Sequence, residues 1–128
     1  KNLTEKAENL LNFVGLYQKR KLRAGDLSFG QQKLLELAMA LMNEPEMLLL
    51  DEPTAGINPT LINGIIDRLI KVNQDFGITL FVIEHNMRVI MQLAESIFCL
   101  AHGKLLAKGT PEEIKNDNRV IDAYLGAQ

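Results

Sequence analysis

The sequence predicts an α/β fold in which parallel strands are flanked by helices. Two short apolar runs, Met47–Leu50 and Ile78–Ile83, are typical of buried strands, and the segment between them repeats apolar pairs four positions apart, as helices do. A strand–helix–strand order of this kind favours a parallel pair joined by a right-handed crossover. The 128 residues, 47% hydrophobic and 23% charged, suit one globular domain or part of one.

Two helices are predicted before the first strand. Thr4 is the candidate N-cap of the first helix, and Gly15 is its candidate end. The second helix begins after Ser28, where Gln31 stands at the spacing of a capping box. Residues 19–23, which lie between the helices, are rich in lysine and arginine and are interpreted as a solvated linker face rather than a binding patch.

The later elements are marked by polar caps and glycines. The predicted N-caps are Asn58, Asn86 and Thr110, and the predicted helix ends are Gly77 and Gly126. A β-hairpin is predicted for residues 97–107, around a turn at His102-Gly103. Short helices are predicted after the hairpin, the first of them with a capping box that begins at Thr110.

Composition excludes several classes of function. The 14 lysines and arginines and the 16 aspartates and glutamates give a net charge of −2, so the chain as a whole has no electrostatic footprint for nucleic acid. No apolar run is long enough to cross a bilayer. Cys99 is the single cysteine, which excludes an intramolecular disulfide and any metal site built from several cysteines.

Two adjacent carboxylates, Asp51 and Glu52, end the first predicted strand. The carboxyl ends of parallel strands form the edge at which α/β proteins bind ligands. An aspartate there can hold Mg²⁺, and the next carboxylate can orient an attacking water. A strand end with solvated acids is the plainer interpretation of this pair when it is taken alone.

Two further segments could face the same ligand. Ser28 begins a helix beside Gly30, so free backbone N–H groups and the positive end of the helix dipole can bind a phosphate that the small glycine lets approach. His85 follows the second strand and can hydrogen-bond a terminal phosphate. Taken singly, the first segment is more typical of an ordinary capping box, and the second of a structural histidine.

In this order and spacing the motifs resemble those of ABC ATPases. The matching segments are Leu27–Gln31 for the signature motif, Met47–Glu52 for the Walker B motif with its catalytic glutamate, Ala55–Asn58 for the D-loop, and His85 for the switch histidine. The resemblance covers essentially the whole chain. It implies the C-terminal part of an ABC-type P-loop NTPase core, with residues 1–46 as the end of the helical subdomain and residues 47–128 as the C-terminal part of the core.

Longer runs resemble the ATP-binding subunits of branched-chain amino acid importers. These runs are Ser28–Ala38, Ala55–Pro59, Glu84–Met87, Gly109–Ile114 and Ala123–Gly126. The sequence departs from the wider ABC pattern at a few positions. Phe29 replaces the first glycine of the usual signature, Lys33 and Met39 stand where arginine is common, and Asn58 replaces the usual D-loop aspartate.

The resemblance implies a role for each candidate site residue. In the family two such domains dimerise head to tail and enclose two ATP molecules. The signature residues Ser28, Phe29, Gly30 and Gln31 would contact the nucleotide held by the partner, and the D-loop residues Ala55, Gly56 and Asn58 would communicate across the dimer. Asp51 would organise Mg²⁺, Glu52 would polarise the attacking water, and His85 would bind the γ-phosphate.

No phosphate-loop pattern G-x-x-x-x-G-K-[ST] occurs in these residues, since Gly103-Lys104 is followed by Leu105 and preceded by Phe98 at the position of the first glycine. We therefore expect the 128 residues to be the C-terminal part of a longer domain, and inactive alone. We also expect residues 78–83 to have one unpaired side, so that the 128 residues alone either self-associate through this gap or close it by local rearrangement.

The complete protein implied by the resemblance is an ATPase that uses ATP and Mg²⁺ to energise an importer. It would lie peripherally on the cytoplasmic face of the cell membrane, bound to permease subunits and to a second ABC ATPase subunit, with no nucleic acid partner. Two alternatives remain open. One is a non-transport ABC ATPase, and the other, for the 128 residues in isolation, is a non-catalytic interaction module.

Overall fold

A computed structural model describes residues 2–125 of the chain. The chain divides into two compact units, Lys1–Glu84 and His85–Gln128. The prediction that a helical subdomain ends at residue 46 concerns a division by family architecture, and it stays a prediction.

Helices and a parallel strand pair make up the first unit. Its elements are α1 (Asn2–Phe13), α2 (Phe29–Leu41), β1 (Met47–Asp51), α3 (Pro59–Phe76) and β2 (Thr79–Ile83), with 3₁₀ turns at Tyr17–Lys19 and Ala24–Asp26. The prediction that Thr4 caps the first helix is wrong, because the helix already begins at Asn2 and Thr4 lies within its first turn. Gly15 does follow the helix end, with a φ of +75° that favours glycine.

Both ends of α3 are confirmed. The Asn58 side chain accepts a hydrogen bond from the Thr60 N–H, and Pro59 occupies the first helical position. Gly77 ends the helix in the left-handed conformation, with its N–H bonded to the Val72 carbonyl. Since α3 connects β1 to β2, these two caps define the length of the crossover.

The two strands pair in parallel, as predicted, with Met47 opposite Thr79 and Asp51 opposite Ile83. The prediction that β1 is a buried strand is confirmed for one face only. Leu48 is 8% exposed, but its neighbour Leu49, which points to the other face, is 74% exposed. Parallel strands with two apolar faces are normally covered on both, and within residues 2–125 nothing buries the second face.

Each strand of this pair also has an unpaired edge among the described residues, because the sheet contains β1 and β2 alone. The expectation of an open side on residues 78–83 is therefore confirmed for the part of the chain that the structure describes. The predicted consequence, self-association through that side or a local rearrangement that closes it, stays a prediction.

A hairpin and short helices form the second unit. Its elements are α4 (Met87–Leu93), β3 (Ile97–Ala101), β4 (Lys104–Gly109), α5 (Pro111–Lys115), α6 (Asn118–Val120) and a π-helical turn at Ile121–Leu125. The predicted hairpin is confirmed, and its turn residues His102 and Gly103 both have positive φ. Its core joins the helices to one face of the hairpin through Ile90, Ile97, Cys99, Ala107, Ile114 and Val120.

The caps of the second unit follow the sequence. The Asn86 side chain accepts hydrogen bonds from the N–H groups of Arg88 and Val89, and the Thr110 hydroxyl accepts one from Glu113. The Glu113 carboxylate accepts its hydrogen bond from the Thr110 hydroxyl, whereas the capping box predicted here would have it accept from the Thr110 N–H. The predicted helix end at Gly126 lies outside the described residues. Across residues 2–125, no helix combines the length and the apolar character needed to cross a membrane.

The single cysteine lies in the core of this unit. Cys99 is buried on β3, and its burial raises the pKa of the thiol, with a smaller contribution from the nearby carboxylate of Asp117. The Tyr124 hydroxyl donates a hydrogen bond to the carbonyl of Leu100, the next residue of the same strand. The end of the described chain is thus attached to the hairpin.

Candidate functional site

The start of α2 is held by a complete capping box. The Ser28 hydroxyl accepts a hydrogen bond from the Gln31 N–H at 3.2 Å, and the Gln31 side-chain oxygen accepts one from the Ser28 N–H at 3.0 Å. The ordinary capping box predicted for this segment is therefore confirmed. It leaves the phosphate interpretation open, because Phe29 and Gly30 lie in the first turn, where N–H groups have no helical acceptor.

The lack of a side chain at Gly30 has a packing reason. Gly30 is buried, and a Cβ atom built on it would lie 3.2 Å from the Cδ1 atom of Leu61 at the start of α3. That spacing is tighter than ordinary contact, so a larger residue would require the Leu61 methyl group to move by a small amount. The prediction that Gly30 lets a ligand approach the backbone closely stays a prediction.

Phe29 joins the signature segment to the D-loop. A Cβ atom built on Gly56 would lie 3.2 Å from the Cε1 atom of the Phe29 ring, and Gly56 has a φ of +72°. The ring is nevertheless half exposed, with the Lys33 ammonium 5.4 Å from its centroid. The structure thus brings together the signature segment and the D-loop, which lie apart in the sequence, through the packing of the Phe29 ring on Gly56.

The carboxylates of Asp51 and Glu52 lie where the sequence predicts, at the carboxyl edge of the parallel pair. Asp51 is the last residue of β1, and the Glu52 N–H donates a hydrogen bond to the Ile83 carbonyl at 2.7 Å. Glu52 has a φ of +49°, which is uncommon for a residue with a side chain. Backbone strain of this kind is concentrated at functional sites in proteins.

Turns carry the chain from Glu52 into α3. The Ala55 N–H donates to the Glu52 carbonyl at 3.1 Å, and the Ile57 N–H donates to the Thr54 carbonyl at 3.2 Å. At the end of this segment the Asn58 side chain caps α3. Asn58 therefore has a structural role within this chain, and its predicted role across a dimer stays a prediction.

Sequence reasoning missed Thr54, the buried polar residue of this loop. Thr54 is 5% exposed, and its hydroxyl donates a hydrogen bond to the Glu84 carboxylate at 2.8 Å. Glu84 directly follows β2, so this contact joins the loop after β1 to the residue after β2. A signal existed in the sequence, since parallel pairing places polar residues that follow two adjacent strands near each other.

The metal interpretation of Asp51 agrees with the donor set. Residues 2–125 contain no cluster of three or more histidine, cysteine, aspartate or glutamate side chains able to hold a metal ion among themselves. Mg²⁺ that is bound with a nucleotide needs only one or two carboxylates, because phosphate oxygens and water complete its shell. Asp51 is exposed at the end of β1, so its carboxylate is accessible for that arrangement.

His85 is exposed and is the first residue of the second unit. It directly follows Glu84, the residue that Thr54 contacts. The prediction that His85 meets the same phosphate as the carboxylates of Asp51 and Glu52 stays a prediction.

Comparisons with known proteins agree with the motifs. The sequence pattern of the ABC transporter family matches residues 2–55, and that of the branched-chain amino acid ATP-binding cassette transporters matches residues 104–128. The high-affinity branched-chain amino acid transport ATP-binding protein LivG of Salmonella typhimurium is 37% identical over 122 residues, which are 95% of this chain and 48% of LivG. The corresponding protein BraF of Pseudomonas aeruginosa is 38% identical over 122 residues, with the same shares of each chain, 95% and 48%.

The fold is similar to that of solved ATP-binding cassettes. The crystal structure of MJ1267, an ATP-binding cassette of an ABC transporter in its ADP conformation, matches with a TM-score of 0.88 and 35% identity, over 98% of this chain and 51% of that one. The chain thus spans about half the length of the relatives it matches. The predicted fold class is confirmed.

Proposed function

We propose, on the premise that this chain belongs to the ATP-binding subunits of ABC transporters, that the protein hydrolyses ATP to drive the import of branched-chain amino acids. The observation that carries the proposal is the position of Asp51 and Glu52 at the carboxyl edge of β1 and β2. The sequence similarity to amino acid transport subunits supports the substrate class.

The two carboxylates divide the chemistry. Asp51 holds Mg²⁺, which neutralises charge on the phosphates when it is bound. Glu52 accepts a hydrogen bond from the attacking water and takes its proton as the water oxygen bonds to the γ-phosphorus. The bond from that phosphorus to the bridging oxygen breaks, and ADP leaves. His85 donates a hydrogen bond to the γ-phosphate, so positioning and charge stabilisation lower the barrier without a covalent intermediate.

The start of α2 acts on the nucleotide of a second subunit. Two ATPase subunits associate head to tail, and Ser28, Phe29, Gly30 and Gln31 of each contact the nucleotide held by the other. Phe29 packs on Gly56, so the signature segment and the D-loop form one contact surface within each subunit. Ala55, Gly56 and Asn58 then report the state of one nucleotide to the other site. This arrangement accounts for site residues in two separate segments.

The complete protein works at a membrane. It associates with permease subunits on the cytoplasmic face, where its closure around ATP is transmitted to the transport pathway. Because no phosphate-loop motif lies within these 128 residues, a polypeptide limited to them binds ATP weakly and hydrolyses none. In isolation such a polypeptide acts at most as an interaction module.

Glu52→Gln in the full-length protein tests this function. The substitution keeps the size of the side chain and removes its charge, so turnover should fall at least about 100-fold while ATP binding persists. The same substitution should stop ATP-dependent uptake of radiolabelled leucine into cells. A steady-state hydrolysis assay measures turnover, and an equilibrium binding assay measures ATP binding.

Glu46→Gln is the matched control. Glu46 is an exposed glutamate that directly precedes β1, at the opposite end of the strand from Glu52, and its replacement should leave hydrolysis and uptake unchanged. Wild-type turnover in the Glu52→Gln protein would remove Glu52 from its proposed role. Normal hydrolysis without leucine uptake would favour a non-transport ABC ATPase.

A further inference from the structure

We propose that Thr54 is a positioning residue for hydrolysis, because its hydrogen bond to Glu84 holds Glu52 in the conformation that the reaction needs. This inference rests on the proposed function, since it concerns how the same site is kept in order. Thr54 does not reach the nucleotide in this scheme. It acts through Glu52, whose loop the contact holds.

The first part of the argument is geometric. The segment from Glu52 to Thr54 is attached to the end of β2 at two points. The Glu52 N–H donates to the Ile83 carbonyl at 2.7 Å, and the Thr54 hydroxyl donates to the Glu84 carboxylate at 2.8 Å. One attachment would let the segment pivot about the strand end. Two attachments, from Glu52 and Thr54 to the end of β2, fix its direction, and with it the direction of the Glu52 side chain.

The second part concerns backbone strain. Glu52 has a φ of +49°, a conformation that persists only where surrounding contacts enforce it. The Ala55 N–H closes a turn on the Glu52 carbonyl at 3.1 Å, so Thr54 lies inside the turn that stabilises this conformation. If the Thr54 hydroxyl were removed, Glu52 could relax to a negative φ. Its carboxylate would then point away from the water that it must orient.

The third part concerns the quality of the contact. Thr54 is 5% exposed, and a buried hydroxyl requires a hydrogen-bond partner. Hydrogen bonds to a carboxylate are shorter and stronger than those between neutral groups. The Thr54–Glu84 hydrogen bond therefore restrains the loop that carries Glu52.

The test compares three substitutions in the full-length protein. Thr54→Val keeps the shape and removes the hydroxyl, and kcat for ATP hydrolysis should fall at least about tenfold with KM for ATP within about twofold, as small displacements of a catalytic group produce. Thr54→Ser keeps the hydroxyl and should recover kcat to within about threefold of wild type. Thr79→Val, which changes an exposed threonine at the other end of β2, should leave kcat unchanged.

A double substitution separates positioning from folding. If Thr54 acts through Glu52, Thr54→Val should cause no further loss of single-turnover hydrolysis in the Glu52→Gln protein. A loss of folded protein would instead lower turnover in both backgrounds, and ATP-binding stoichiometry measures the folded fraction. Should Thr54→Val prevent folding, Glu84→Gln keeps an acceptor oxygen but removes the charge, and its kcat should fall by a smaller factor than that of Glu84→Ala.

The outcomes distinguish this inference from the proposed function. Wild-type kcat in Thr54→Val, an equal loss in Thr54→Ser, or an additional loss in the Glu52→Gln background each overturns the positioning role. Equal kcat values for Glu84→Gln and Glu84→Ala that match wild type overturn it as well. If the Glu52→Gln protein retains wild-type turnover, the proposed function itself is contradicted, whatever the result for Thr54.

Discussion

The start of α2 and the end of β1 hold their site residues by different means. At α2, Ser28 and Gln31 each bond to the backbone N–H of the other, three residues apart in the sequence. At β1, the loop that carries Glu52 depends on the Thr54–Glu84 hydrogen bond, which joins residues 30 positions apart. The first arrangement forms with one turn of helix, whereas the second exists only after α3 has brought β2 beside β1.

Because of this difference, substitutions in the two regions should affect hydrolysis and stability in different ways. A substitution at the exposed Ser28 changes local hydrogen bonds and the groups presented to a ligand, and the remainder of the unit should keep its packing. A substitution at the end of β1 acts on the strand pair and on the proposed catalytic carboxylate of Glu52 together. Measurements that record both hydrolysis and stability can therefore tell the two regions apart.

The largest expected effect comes from combining one substitution from each region. Ser28→Arg and Glu52→Gln should each reduce turnover of the full-length protein at least about 100-fold. If each composite site takes its signature segment from one subunit and its catalytic glutamate from the other, mixed dimers of the two variants contain one intact site. Turnover of the mixture should then exceed that of either variant at least about tenfold.

A single chain that carries both substitutions is the control for this experiment. When it is mixed with wild-type chains, each mixed dimer has one defect in each site, so turnover should fall rather than recover. Absence of recovery in the first mixture, with mixed dimers demonstrated by affinity-tag capture, would contradict the head-to-tail arrangement.

The next effect concerns β1 alone and uses two consecutive leucines. Leu48→Asp should lower the unfolding free energy of the 128-residue polypeptide by about 3 kcal/mol or more, because it buries a charge in the core of the first unit. Leu49→Asp changes the exposed face and should alter the same quantity by about 0.5 kcal/mol or less. Urea denaturation measures both values. Equal losses would mean that the second face of the strand pair is covered in solution.

The smallest effect concerns the cap of α2. Ser28→Ala removes the acceptor for the Gln31 N–H and should lower the unfolding free energy by about 1 kcal/mol. Ser28→Asn retains an acceptor at the same place and should remain close to wild type in stability. If asparagine destabilises the protein as much as alanine, the capping box does not control the stability of this helix start.

The predictable part of the fold follows the same division. Local patterns were sufficient for the capping box at Ser28, for the caps of α3 at Asn58 and Gly77, and for the hairpin turn at His102-Gly103. Each of these features depends on hydrogen bonds or backbone conformations within a few residues, and sequence alone records them.

Features that depend on distant packing could not be predicted in the same way. The alternation of burial between Leu48 and Leu49 depends on which elements cover the sheet, and the apolar run Met47–Leu50 suits one covered face or two. The contact of Gly30 with Leu61 and the bond from Thr54 to Glu84 depend on where α3 and β2 lie. The sequence alone therefore identifies the chemical groups of the candidate site. The residues that hold those groups in place are identified only from the packing.

The position of Cys99 has a practical consequence for chemical labelling. Maleimides and related reagents react with the thiolate, and burial together with a raised pKa keeps that form scarce in the folded protein. Cys99 is the only cysteine in these 128 residues, so they should contribute little background labelling at neutral pH. A cysteine placed on an exposed position of the α2 start or the D-loop could carry a fluorophore selectively, and its emission would report in real time whether the two segments separate.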